Sequence, residues 1–152
     1  EVNGVALDSA FYLRNNGEPV FVKVYLLYSK TGVIPGVGGS HAELCESNTG
    51  DSSLSNNVLD LGLRINHDFF SVLKTWELRL AGGTTAETFD NLRIIRHFLN
   101  FRGRKFRYNG TNTYPCNGRY FYVIMPRRAD NDGTGATDLE ISSTSTFYFK
   151  DP

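Results

Sequence analysis

Val20-Phe21-Val22-Lys23-Val24-Tyr25-Leu26-Leu27-Tyr28 is an apolar run with a single charge in it. β-Branched and aromatic residues at this density favour an extended backbone. A strand buried on one face alternates between apolar and polar residues. This one does not, so it is expected to be covered on both faces or to lie at an interface. Working outward, alternation of period two dominates the rest of the chain. Val5, Leu7, Phe11 and Leu13 share one face of a first strand. In Phe70–Leu80, the residues Phe70, Val72, Trp76, Leu78 and Leu80 point one way, Glu77 and Arg79 the other. Two short strands, Ile94–Phe101 and Arg104–Tyr108, flank Arg102-Gly103. Arg119-Tyr120-Phe121-Tyr122-Val123-Ile124-Met125 is an aromatic strand expected to stop at Pro126, which has no ladder donor. Leu139–Lys150 closes the series, with Ile141, Phe147 and Phe149 expected inward and Glu140, Tyr148 and Lys150 outward.

The expected strands run over 4–14, 20–29, 58–64, 69–81, 93–101, 104–109, 118–126 and 138–150. No long helix and no internal repeat interrupts them. The chain has 152 residues, the size of one domain with a substantial core. Long connections between many successive strands suit Greek-key crossings between two sheets. The reading is therefore all-β, a single eight-stranded antiparallel jelly roll, that is, a two-sheet sandwich. An immunoglobulin-like sandwich is the second choice. It prefers cysteines at strand positions, and Cys45 and Cys116 fall in expected loops. The two cysteines read as free thiols, with a bridge between the loops as the alternative. The longest irregular stretch, from Thr31 to Asn57, has the size of a functional loop.

Charge is sorted along the chain. Lys and Arg total 16, Asp and Glu 16. Yet Asn91 to Ala129 holds nine cations and no carboxylate. Cations crowded in this way call for compensation, either by the acidic remainder of this or a neighbouring copy, or by a polyanion. Basic side chains neutralise phosphates and aromatic rings stack on bases. Arg102, Arg104, Lys105, Arg107, Tyr108, Arg127 and Arg128 are the candidate nucleic-acid contacts. Pairing with Asp or Glu of a neighbouring copy is the equal alternative for the arginines. Solvent-facing halves of ordinary strands are the plain one.

Catalytic signals are weak. His41, His67 and His97 form no H-x-x-x-H or H-E-x-x-H pair. His97 is expected to be a packed, hydrogen-bonded core histidine. No Gly-x-Ser-x-Gly occurs. Gly36-Val37-Gly38-Gly39 lacks the Lys-Ser/Thr of a P-loop and reads as a plain loop. Asp130-Asn131-Asp132-Gly133-Thr134-Gly135 resembles part of a calcium loop, but Ile141 stands where the bidentate Glu belongs. It reads as an acidic turn. Asn109-Gly110-Thr111 fits a glycosylation sequon of low information content. No cofactor, no metal and no enzymatic activity is expected. No apolar stretch approaches the length of a membrane-spanning helix.

Five segments in order carry a resemblance. Val22–Gly32 followed by Pro35 resembles the first strands and Gly/Pro turn of the capsid domain of small circular single-stranded DNA viruses. Asp68-Phe69-Phe70-Ser71-Val72-Leu73-Lys74-Thr75-Trp76 is similar to their Phe/Tyr-x-Val/Ile-Leu-Lys strand. Ile95–Phe101 through Lys105–Asn109 resembles their basic-aromatic strand pair. Gly118–Met125 and Ser145–Asp151 resemble their last two strands. Geminivirus and genomovirus coats are the most similar; circovirus and satellite tobacco necrosis virus coats share the general plan. Ser29 stands where many of these coats carry an acidic residue. The resemblance implies a coat subunit that self-assembles into an icosahedral or geminate shell, resident in the virion and, during assembly, in the host nucleus. Its partners would be further copies of the chain, a single-stranded DNA genome and a host receptor or vector, with no membrane. The basic arm that such coats carry ahead of the jelly roll is expected to precede this domain. A carbohydrate-binding jelly roll is the alternative, with Tyr120, Tyr122, Tyr148 and Trp76 as a sugar platform.

Overall fold

The computed structural model describes residues 1–29, 44–46, 61–83, 89–110, 115–129 and 138–151. These form two antiparallel sheets packed as a β-sandwich. Seven strands follow in chain order: β1 (Val2–Asn15), β2 (Val20–Ser29), β3 (Phe70–Leu80), β4 (Leu92–Asn100), β5 (Lys105–Phe106), β6 (Arg119–Arg128) and β7 (Leu139–Lys150). In one sheet β1 is central. β4 runs along one side of it, and β5 continues the line of β4 beyond the Arg102-Gly103 turn. β7 pairs with the other side of β1 from Asn3 to Asn15. The second sheet has the order β3-β2-β6. First strand thus pairs with last, and second with next to last, as in a chain folded back on itself into a jelly roll.

The short link between β1 and β2 crosses from one sheet to the other. Asn15 fixes it: the buried amide donates to the carbonyls of Glu18 at 2.7 Å and Ala81 at 3.0 Å, and its oxygen accepts from the Gly17 amide at 3.3 Å. That side chain ties the crossing to the end of β3.

β2 is covered on both faces, as its unbroken apolar run requires. Its even residues Val20, Val22 and Val24 face the other sheet and pack with Phe11, Leu13, Leu80 and Ile95. Its odd residues Tyr25 and Leu27 face an outer layer in which Leu44, Cys45, Ile65, Phe70 and Met125 are buried. Full burial of such a side chain contributes roughly 1.5–3 kcal/mol. The segment 61–64, expected to be strand, instead begins with a 3-10 turn. It lies over β2, where the Leu61 carbonyl accepts from Lys23 Nζ at 2.8 Å, and Ile65 makes an isolated bridge to Cys45. Residues 58–60 of that expected strand lie outside the described residues.

Three further expectations are corrected. Phe70 and Val72 do not share a face with Trp76, Leu78 and Leu80. The ladder passes from Leu26↔Lys74 to Leu27↔Val72, so Leu73 is an extra residue. That β-bulge turns the even residues from the inner core to the outer layer. A similar shift between Gly4 and Ala6 isolates Val5, which is exposed rather than aligned with Leu7. β6 continues through Pro126 to Arg128. Among the described residues β6 pairs with β2 alone, and on an edge strand a missing donor that faces away from the ladder costs no bond.

Candidate nucleic-acid interface

The residues around the Arg102-Gly103 turn gather at one end of the sandwich. Arg102 has a positive φ of 52° and Gly103 one of 75°, so the chain reverses tightly. The Asn100 side chain accepts from the Arg102 amide at 2.7 Å. Arg102, Lys105 and Arg107 are exposed. Lys105 forms a solvent-exposed ion pair with Glu1 at 3.5 Å, a contact of small energetic weight. The position of Arg107 is fixed by its backbone, since its amide donates to Asn117 Oδ1 at 3.1 Å. Tyr108 is 42% exposed beside it. Along this segment Lys105 and Arg107 face solvent while Phe106 is buried.

Arg104 is different. Its guanidinium lies over the Tyr28 ring at 4.2 Å, donates to Tyr120 Oη at 3.0 Å and hydrogen-bonds Tyr28 Oη. Tyr28 Oη in turn donates to the Asn117 carbonyl at 3.2 Å. Gly118 makes this possible: at φ 118° it brings its α-carbon against the Tyr28 ring, and a side chain there would overlap that ring. Arg104 thus serves the fold, joining the turn to both β2 and β6.

Beside Arg104, Phe101, Phe106, Tyr120 and Phe147 form an edge-on aromatic cluster with centroids 5.0–6.2 Å apart. They border an apolar cavity of about 390 Å³ that Tyr108 and Arg119 also line. Gly4 leaves room for the Phe106 ring, which a side chain at that position would strike.

Arg127 and Arg128 stand apart from this group. They pair with Phe21 and Val20, at the opposite end of β2 from Tyr28, about 23 Å away at the rise of an extended strand. Arg127 is only 8% exposed, and its guanidinium donates to the Pro126 carbonyl at 2.7 Å. The seven candidates therefore divide into an exposed trio with Tyr108, a structural Arg104, and a distant pair.

His97 is packed, as expected. It hydrogen-bonds Tyr122 Oη at 3.2 Å and meets Trp76 edge-on at 5.2 Å. Burial lowers its pKa, and the charge of Lys74 adds to the effect. The same packing removes the sugar platform, because Trp76 and Tyr122 turn into the core between the sheets. Tyr120 joins the end cluster, and Tyr148 lies on the opposite face of its sheet. Lys23 is the charged residue that sequence reading passed over. Its half-buried ammonium pairs with the exposed Glu77 carboxylate at 3.1 Å. Burial works to lower its pKa, but hydrogen bonds to Glu77 and Tyr25 outweigh this and raise it. The lone charge inside an apolar strand was the signal.

Neither cysteine forms a disulfide; Cys45 is buried and Cys116 exposed. Among the described residues no cluster of His, Cys, Asp or Glu could hold a metal ion, and no helix is long and apolar enough to cross a membrane. The glycine run 36–39, His41, Thr111 of the sequon and the acidic turn 130–135 lie outside the described residues. No family model, curated protein or solved structure matches this chain.

Proposed function

We propose that this chain is a coat subunit that self-assembles into an icosahedral or geminate shell around single-stranded DNA, within a virion built in the host nucleus, and that it performs no catalysis. The observation that carries the reading is the coincidence of two patterns. The sequence holds five coat-like segments in order. The sandwich pairs first strand with last and second with next to last. The exposed trio Arg102, Lys105 and Arg107, with the Tyr108 ring beside them, supplies phosphate contacts and a stacking face at one end of the sandwich.

Electron microscopy of the purified protein tests assembly: closed particles are expected, and monomers alone with DNA at low salt overturn the reading. For the contact residues, the measurement is the salt dependence of binding to single-stranded DNA. Replacing Lys105 and Arg107 together by Ala is expected to reduce the slope of log K against log salt by about 1.4, or about 0.7 per cation lost. An unchanged slope with assembly lost assigns the two residues to contacts between copies instead.

A further inference from the structure

Each sheet has two outer strands, and three of the four carry the usual guards against edge pairing. β3 has Lys74, Glu77 and Arg79; β4 has Arg93 and Arg96; β6 has Arg119, Pro126, Arg127 and Arg128. β7 has none between its ends. From Ile141 to Phe149 it reads Ile-Ser-Ser-Thr-Ser-Thr-Phe-Tyr-Phe, without charge, proline or glycine. Every residue from Glu140 to Lys150 is exposed, including Ile141 at 48% and Phe149 at 57%. Among the described residues β7 pairs with β1 alone. Its outer N–H and C=O groups thus form a long template for another strand.

The charges at its two ends specify which strand. Glu140 and Lys150 are equidistant from Ser145, and neither has an ion-pair partner among the described residues. The geometry points to a second copy of this chain, docked by antiparallel β7–β7 pairing about a two-fold axis at Ser145. In this register Glu140 faces the partner's Lys150, and Lys150 faces the partner's Glu140. Ile141 lies across from the partner's Phe149 on one face, and Thr144 across from the partner's Thr146 on the other. Facing residues have the same parity throughout, so both strands present their outward backbone groups to each other and exchange about ten hydrogen bonds. Opposite charges in facing positions stabilise such a junction and like charges oppose it. The chain's formal net charge of zero sets up no long-range repulsion between copies. The two sheets then join into one that runs β4-β1-β7 and on through the partner.

The contact is independent of the coat reading. Dimers without particles leave it standing, and particles indifferent to β7 substitutions overturn it while leaving the shell intact. Sedimentation equilibrium at rising protein concentration is the first test, with a reversible dimer expected. Glu140→Lys and Lys150→Glu, each alone, are expected to weaken the dimer about tenfold by placing like charges opposite at both ends, and the double exchange to restore it. A monomer at every concentration, or a dimer insensitive to the single exchanges, overturns the proposal. A second test fixes the register in a Cys116→Ser background under oxidised glutathione. Ser145→Cys is expected to give a covalent dimer, because facing α-carbons lie about 4.5–5.5 Å apart, within disulfide reach. Ser143→Cys, whose counterpart is displaced along the strand, is expected to stay monomeric on a denaturing gel. Equal cross-linking at both positions overturns the register.

Discussion

The two sheets share one chain and one core, yet they are finished in opposite ways. The β3-β2-β6 sheet has its inner face on the other sheet and its outer face under the 44–46 and 61–69 segments. The β4-β1-β7 sheet has its inner face in the core, but its outer face shows Tyr12, Ile94, Phe98 and Tyr148 to solvent. One of its edges, β7, is exposed from Glu140 to Lys150. Apolar residues are abundant in both, so composition does not separate them. What separates them is whether the chain supplies a cover. The covered sheet is packed on both faces; the bare one keeps one face open to solvent.

The largest effect expected from breaking this contrast comes from Leu27→Ala. Leu27 is fully buried at the centre of the covered sheet. Its truncation is expected to cost about 3 kcal/mol in denaturant unfolding, whereas Ile141→Ala on β7 is expected to stay within about 0.5 kcal/mol. Comparable losses at both positions would abolish the distinction. Gly118→Ala comes next, at about 2 kcal/mol, because it imposes a left-handed backbone on alanine and pushes against Tyr28. A smaller contrast lies within the basic turn. Arg104→Ala is expected to lose about 1 kcal/mol of stability, from its stacked and hydrogen-bonded guanidinium, while Arg107→Ala leaves the melting temperature in place.

The smallest effect is on pH. Burial disfavours charged His97, so its folded pKa lies below the ordinary 6.5. The folded state then binds fewer protons than the unfolded one, and stability falls as pH drops through the histidine range. Melting scans from about pH 7.5 to about pH 5 are expected to show a steeper loss for the native chain than for His97→Gln. Parallel curves would mean that the histidine between β3 and β4 ionises freely.

Much of this architecture was legible in the sequence. The run from Val20 to Tyr28 announced a strand with two covered faces, and alternation located β1, β4 and β7 to within two residues at each end. The failures have local causes. Periodicity assumes an uninterrupted ladder, so one extra residue at Leu73 reassigned Phe70 and Val72. Proline was read as a stop because its missing donor matters in a central strand, and β6 is an edge. Alternation placed Ile141, Phe147 and Phe149 on the inward face of β7 but could not report that, on this outer strand, they stay exposed. The site was legible as a composition and not as a place. Nine cations in one acid-free block named the candidates but not their places: pairing along β2 sends Arg127 and Arg128 to the far end, and Tyr28 and Tyr120 draw Arg104 inward.

The unlike cysteines also have a chemical consequence. Cys116 is exposed near the aromatic end, and Cys45 is buried within the outer layer against Ile65 and Met125. A thiol reagent therefore meets two populations in one molecule. The first reacts at the pace of the reagent; the second reacts only when the layer lifts from β2. Because such an opening can occur without global unfolding, the lag between the two labels measures how firmly the cover is seated, separately from the stability of the sandwich beneath it.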